Sequence, residues 1–174
     1  MTVPVVHALA TQYSHIRITF LSRPFARVFF ENLAPNVCFM GADIKGEYHG
    51  IKGLNKLYKR IVAQNITAVA DLHNVLRSRY LRLLFNLCNY RVAHIDKHRA
   101  DRKKLVARAN KRLVQMPTAF QNYADVFKKL GYPVALNFRS LFSTDGGDLR
   151  LLPSTIGEKK PEQQWIGIAP FAAH

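Results

Sequence analysis

The sequence predicts an α/β fold, a mostly parallel sheet covered by helices on both faces, on three observations. Short apolar or alternating segments of strand type take turns with amphipathic segments of helical period along most of the 174 residues. Hydrophobic residues make up 48% and charged residues 21%, a globular composition that excludes wholesale disorder. The apolar runs also stay short. Leu81–Leu87 is interrupted by Arg82 and Asn86 and falls far below the roughly 18 residues a membrane span needs. The first residues lack the basic leader and apolar core of a signal peptide.

The elements follow in order. Val3, Val6, Ala10 and Tyr13 share one helical face, so Thr2 to Tyr13 reads as a helix, with Thr2 as its cap and Pro4 in the first turn. Ile16, Ile18 and Phe20 alternate with Arg17 and Thr19, the period of a strand. A second helix is expected over Phe25 to Leu33 and a short buried strand at Val37–Met40. The glycine-containing stretch from Gly41 to Gly53 reads as a loop. Leu54, Leu57, Ile61 and Val62 mark a third helix, and Ala68–Asp71 a small strand ending in an acid. A helix from Val75 to Leu87, a strand at Arg91–Ile95, a basic segment at Lys97–Arg112 and a helix over Thr118–Leu130 come next. Gly131-Tyr132-Pro133 stops that helix. Phe142–Gln164 is a connector with one short strand at Leu149–Leu152, and Trp165–Ala169 is a buried strand. Such α/β units normally open on their central strand. This sequence opens on a helix, so its first strand is expected to be lacking. Cys38 and Cys88, in apolar surroundings, are expected to be reduced packing residues of a cytosolic protein rather than a disulfide or zinc pair.

Charge is the unusual quantity. With 26 Lys and Arg against 11 Asp and Glu the net charge is +15. Between Arg77 and Arg112 stand twelve Lys and Arg against Asp96 and Asp101, ten of those fifteen charges. A solvated helix face is the plain explanation, but so one-sided a run repels itself, and an anionic partner would relieve it. Nucleic acid, an anionic membrane surface and a phosphorylated or acidic substrate all satisfy the charge.

Asp71-Leu72-His73-Asn74-Val75-Leu76-Arg77-Ser78 carries the densest chemistry. It places an acid, a His, an Asn, an Arg and a Ser at a strand end and in the helix entry after it. Helix-start N–H groups attract phosphate or carboxylate, and Arg77 adds a bidentate donor. The competing reading makes Asp71 a helix cap and His73 a surface residue.

Thr67–Arg82 resembles the "strand, D-x-Q-G-L-x-K/R-S, helix" signature of the ADP-heptose:lipopolysaccharide heptosyltransferases, glycosyltransferase family 9. Three further stretches agree in order. Met1–Pro4 is similar to the T-P that trails the family's Gly-Asp loop. Lys128–Tyr132 is similar to a helix ending, and Trp165–Pro170 to the first strand of the second domain. His73-Asn74 stands where the family has Gln-Gly.

The resemblance implies a Rossmann-like acceptor domain over residues 1–153, the N-terminal half of a GT-B fold lacking its first strand. It further implies a linker over 154–163 and, at 164–174, the first strand and loop of a donor-binding domain. The implied activity is inverting, metal-independent transfer of a sugar, with no cofactor, from a nucleotide-sugar donor resembling ADP-heptose. The acceptor is an anionic lipid-linked saccharide of the lipopolysaccharide inner core, at the cytoplasmic membrane surface. Thr2, Asp71, His73, Asn74, Arg77, Ser78, Arg99, Lys103 and Lys104 are the implied acceptor-side residues, and Ala172, Ala173 and His174 approach the donor. The base aspartate of the family is expected before Met1, so the chain alone is expected to be inactive. A basic nucleic-acid-binding module is the alternative; none is expected as a partner under the family reading.

Overall fold

The computed structural model of the chain describes residues 2–138 and 160–166. Helix α1, Val3–Gln12, buries Val5, Val6, Ala8, Leu9 and Ala10. Thr2 stands at its start, but the hydroxyl caps nothing; the Thr2 carbonyl accepts the Val5 and Val6 N–H groups at 3.1 and 3.0 Å. Strand β1 runs over Ile18–Ser22, two residues later than the alternation suggests. Ile16 is held in the turn before it, because Asn36 Nδ2 lies 3.1, 3.3 and 3.0 Å from the carbonyls of Ala10, Tyr13 and Ile16.

The helix expected over Phe25–Leu33 is instead a 3-10 turn, Pro24–Phe29, with Phe25, Val28 and Phe29 exposed. Phe30 is drawn inward and stacks on Phe20, ring centroids 3.6 Å apart, which ends any regular helical path. Strand β2, Val37–Gly41, pairs in parallel with β1, Phe20 opposite Phe39. Helix α2, Gly50–Val62, buries Leu54 and Leu57 and turns Lys52, Lys56 and Lys59 outward. Gly53 lets this helix touch the preceding loop: a Cβ there would lie 2.3 Å from the Tyr48 carbonyl carbon.

Strand β3, Ala68–Asp71, is followed by α3, Leu76–Leu87, and by β4, Arg91–His94, which pairs in parallel with β3. A short helix α4, Arg99–Leu105, forms within the basic segment. Helix α5, Ala119–Lys129, is set by a capping box. Gln121 N–H donates to Thr118 Oγ1 at 3.2 Å, and Thr118 N–H donates to Gln121 Oε1 at 2.7 Å. Gly131, at φ +90°, supplies the left-handed residue that ends it.

Among the described residues the four strands make two parallel pairs, β1–β2 and β3–β4, rather than one continuous sheet. Their shared floor is α1 and α5. Val5, Val6 and Leu9 cluster with Phe127 and Val37, and Ile18, Phe20, Ala70 and Leu72 pack against that cluster. Leu57 of α2, with Ile61, Leu21 and Leu81, builds a second core on the other face.

Two further expectations are corrected. Cys38 and Cys88 are free thiols as expected, but both are exposed rather than packed. Cys38 is exposed on β2, between the buried Val37 and the half-buried Phe39. Cys88 lies just past α3, where its Sγ accepts the Tyr58 hydroxyl at 3.1 Å. That bond, with burial, pushes the Tyr58 phenol up to about 12. Trp165 and Ile166, expected to open a buried strand, lie in no strand and are exposed; residues 167–169 of that expected strand lie outside the described residues. The expected strand at 149–152 and residues 172–174 lie outside the described residues. By internal contacts the chain divides into the units Met1–Arg139 and Ser140–His174.

Candidate anion site at the carboxyl ends of β3 and β4

Open parallel sheets bind ligands beyond the carboxyl ends of their strands, because loops and helix starts converge there. At that end of the second pair, Asp71 and His94 stand in register. Asp71 is buried. Its Oδ1 accepts the backbone N–H groups of His73 and Asn74 at 2.9 and 2.8 Å, folding the chain into a tight turn. Arg82 reaches back from α3 and sets Nε 3.2 Å from Asp71 Oδ2, with side chains 14% and 5% exposed. Neither atom has an aligned hydrogen bond, so the contact is an ion pair held by proximity.

Asn74 is the joint of the loop. Its backbone is left-handed at φ +46°, a conformation asparagine tolerates better than most residues. Its Nδ2 donates to the Ile95 carbonyl at 3.0 Å, fastening the β3 loop to the end of β4. Its Oδ1 accepts from Arg79 Nε at 3.1 Å and Arg82 Nη2 at 3.2 Å. Ser78 starts α3: its Oγ accepts the Val75 N–H at 2.9 Å and donates to the Val75 carbonyl at 3.0 Å. His73 and Arg77 are exposed at the same end. His94 is held below the ordinary imidazole range, first by burial of part of the ring and then by the Arg82 and Lys129 charges.

The chain leaving β4 adds a second polar group. His98, also left-handed at φ +47°, meets the buried Asn122 through Nε2 at 3.1 Å. Its Nδ1 lies 3.8 Å from both Asp96 Oδ2 and Asp101 Oδ2. The His98 N–H donates to Asp96 Oδ1 at 2.8 Å, and this bond holds the Asp96 carboxyl below its usual range. Lys104 and Arg112 line a pocket of about 200 Å³ beside His98, floored by Val114 and Met116. Arg99 and Lys103 are exposed on α4.

The structure therefore brings Asp71 and Asn74 into one hydrogen-bonded turn, sets Ser78 as the cap of the helix start that follows, and leaves His73 and Arg77 exposed at its rim. Thr2 has no hydrogen bond to this group among the described residues. Ala172, Ala173 and His174 fall outside those residues. Sequence reasoning missed Arg82, Arg79, His94 and His98. Arg82 reads in the sequence as a charge interrupting an apolar run. Its signal is that a cation on the sheet-facing side of a helix demands a buried partner, and Asp71 is the nearest acid.

No family model matches the sequence, and no curated protein matches it. Among solved structures, the chain is similar to the crystal structure of the glycosyl transferase family 9 from Veillonella parvula DSM 2008. The TM-score is 0.52 at 19% identity, over 80% of this chain and 41% of that one. The likeness establishes the fold: this chain is an α/β protein built like part of a family 9 glycosyl transferase. It spans about two fifths of the structure it matches.

Proposed function

We propose that this chain carries the acceptor-binding half of a glycosyltransferase, and that its ligand is a negatively charged, lipid-linked saccharide of the lipopolysaccharide inner core. The observation that carries the reading is a cationic rim on a rigid turn. Arg77 is exposed beside the Asp71–Arg82–Asn74 network, His73 is exposed on the turn itself, and the exposed cations Arg99, Lys103 and Lys104 follow on α4. The fold shared with a family 9 glycosyl transferase supports the enzyme class. The heptosyl specificity, with ADP-heptose or a close relative as donor, rests on the order of the four sequence motifs. Inversion without a metal rests on the same resemblance.

Asp71 is not offered as the catalytic base. Its two oxygens are committed to the turn and to Arg82, and its role is to position the loop that carries Arg77.

Titration with a phosphorylated inner-core oligosaccharide tests it. Each Lys or Arg near an anionic surface contributes about 1 kcal/mol, so Lys103→Glu with Lys104→Glu weakens binding at least about tenfold, and Arg77→Ala weakens it several-fold. Unchanged affinity in both variants, or tight binding to generic RNA at physiological salt with none to the saccharide, overturns the reading.

A further inference from the structure

We infer that the solvent face of α2 and α3 is a docking surface for an acidic amphipathic helix of another protein. Helix α3 is apolar on two opposite sides. Phe85 is the one residue of α3 that is buried, and Leu81 beside it packs on the core built around Leu57 of α2. Leu83 and Leu87 lie within about 20° of Leu76 around the helix axis, and Phe85 lies opposite them. These three leucines are 84%, 55% and 72% exposed for Leu76, Leu83 and Leu87 in turn. Leucines exposed singly are ordinary, but three in one row about 16 Å long mark a contact surface. A helix apolar on both sides belongs between two layers, and here the outer layer is open.

The neighbouring helix states the partner's charge. Tyr80 donates its hydroxyl to Asn55 Oδ1 at 2.8 Å, closing the outer seam between α3 and α2. Because α2 buries Leu54 and Leu57, its Lys52, Lys56 and Lys59 are turned to solvent on the same side as the leucine row. Packed helices stand about 8–10 Å apart, so these cations form one flank of that row. Lys56 is matched by Glu47 at 2.6 Å, whereas Lys52 and Lys59 have no acid partner among the described residues.

The other flank differs. Arg79 and Arg82 donate to Asn74 Oδ1, and the exposed Asn86 and Asn89 are neutral. A leucine row with free cations on one flank complements a helix that carries an aliphatic row and Asp or Glu beside it. The spacing of seven and then four residues is that by which one helix seats on another. A second copy of this chain, at net charge +15, would bring a like cationic surface against this one. A bilayer surface favours free Lys or Arg on both flanks of an apolar row, and here they stand on one. The inference uses none of the groups assigned to the saccharide and is independent of that reading.

The test titrates the full chain into a fluorescent synthetic helical peptide, followed by anisotropy. The probe carries leucines at the spacing of Leu76, Leu83 and Leu87 with glutamates along one flank, and the control has lysine for every glutamate. Saturable binding is expected for the probe, at least about tenfold tighter than for the control. Leu83→Glu is expected to weaken it at least about tenfold, and Lys52→Glu with Lys59→Glu several-fold. All three side chains are exposed, so unfolding midpoints are expected to stay put and lost binding is not lost fold. The inference is overturned if the probe fails to saturate, if the lysine peptide binds as well, or if Leu83→Glu leaves the affinity unchanged. It is equally overturned if Leu83 drives binding to vesicles of phosphatidylcholine with phosphatidylglycerol while the probe stays unbound. Sedimentation showing self-association that Leu83→Glu abolishes would assign the face to a second copy instead.

Discussion

The two strand pairs finish in different ways, and the contrast lies in two aspartates that make the same local turn. After β2, Asp43 Oδ1 accepts the N–H groups of Lys45 and Gly46 at 3.0 and 3.1 Å, with its side chain exposed. After β3, Asp71 Oδ1 accepts those of His73 and Asn74 at nearly the same distances, but the carboxylate is buried and faces Arg82. Beyond the first pair the chain returns to packing: Ala42 and Tyr48 are buried, and Arg60 Nη1 spends itself on the Gly41 carbonyl and the Tyr48 hydroxyl, both at 2.9 Å. Beyond the second pair the guanidiniums of Arg79 and Arg82 brace a turn, and the cation Arg77 is exposed at its rim. An aspartate turn in water only redirects the chain. One that is buried and ion-paired fixes a loop in place, which is what a binding site needs.

The largest effect that breaks this contrast is expected from Arg82→Ala. It leaves Asp71 buried without its cation and costs about 3–5 kcal/mol in denaturant unfolding. Asp71→Asn combined with Arg82→Met is expected to recover a large part of that loss, because both buried charges go together. Gly53→Ala perturbs the other pair. Its Cβ would meet the Tyr48 backbone at 2.3 Å, and a loss of roughly 1–3 kcal/mol is expected with anion affinity unchanged. Comparing the two variants by unfolding and by saccharide titration separates structural damage from damage to the site.

A smaller effect concerns pH. The His94 pKa is lowered in the folded chain, so the unfolded chain binds the proton more readily. The stability His94 contributes is present above its ordinary value of 6.5 and is lost as pH falls through the lower folded value. Unfolding midpoints measured between pH 7.5 and about 5 are expected to decline less in His94→Gln than in the parent chain.

Much of this architecture is legible in the sequence. The apolar spacing of α1, the run Ala68–Asp71, the basic break after β4, and Thr118 with Gln121 each point to the element that forms. The misses have physical causes. Phe25–Leu33 has helical apolar spacing, yet tertiary stacking of Phe30 against Phe20 overrides it. Cys38 sits in an apolar tetrapeptide in which Val37 and Met40 are buried, but the packing around β2 does not cover its own side chain. At the site, Asp71, Asn74 and Ser78 are visible because turns and helix starts demand such residues locally. Arg82 and His98 are not, since their partners, Asp71 and Asn122, are brought to them only by the packing of α3 and α5.

The most direct test of the central claim is a nuclear magnetic resonance titration of the labelled chain with phosphorylated inner-core oligosaccharide, following backbone amides at both strand ends. Saturable shifts are predicted at His73–Arg77 and at 97–104, with Arg23, Ala42 and Asp43 unmoved. Shifts at the β1–β2 end, or none at the β3–β4 end with saccharide in excess, would contradict the account.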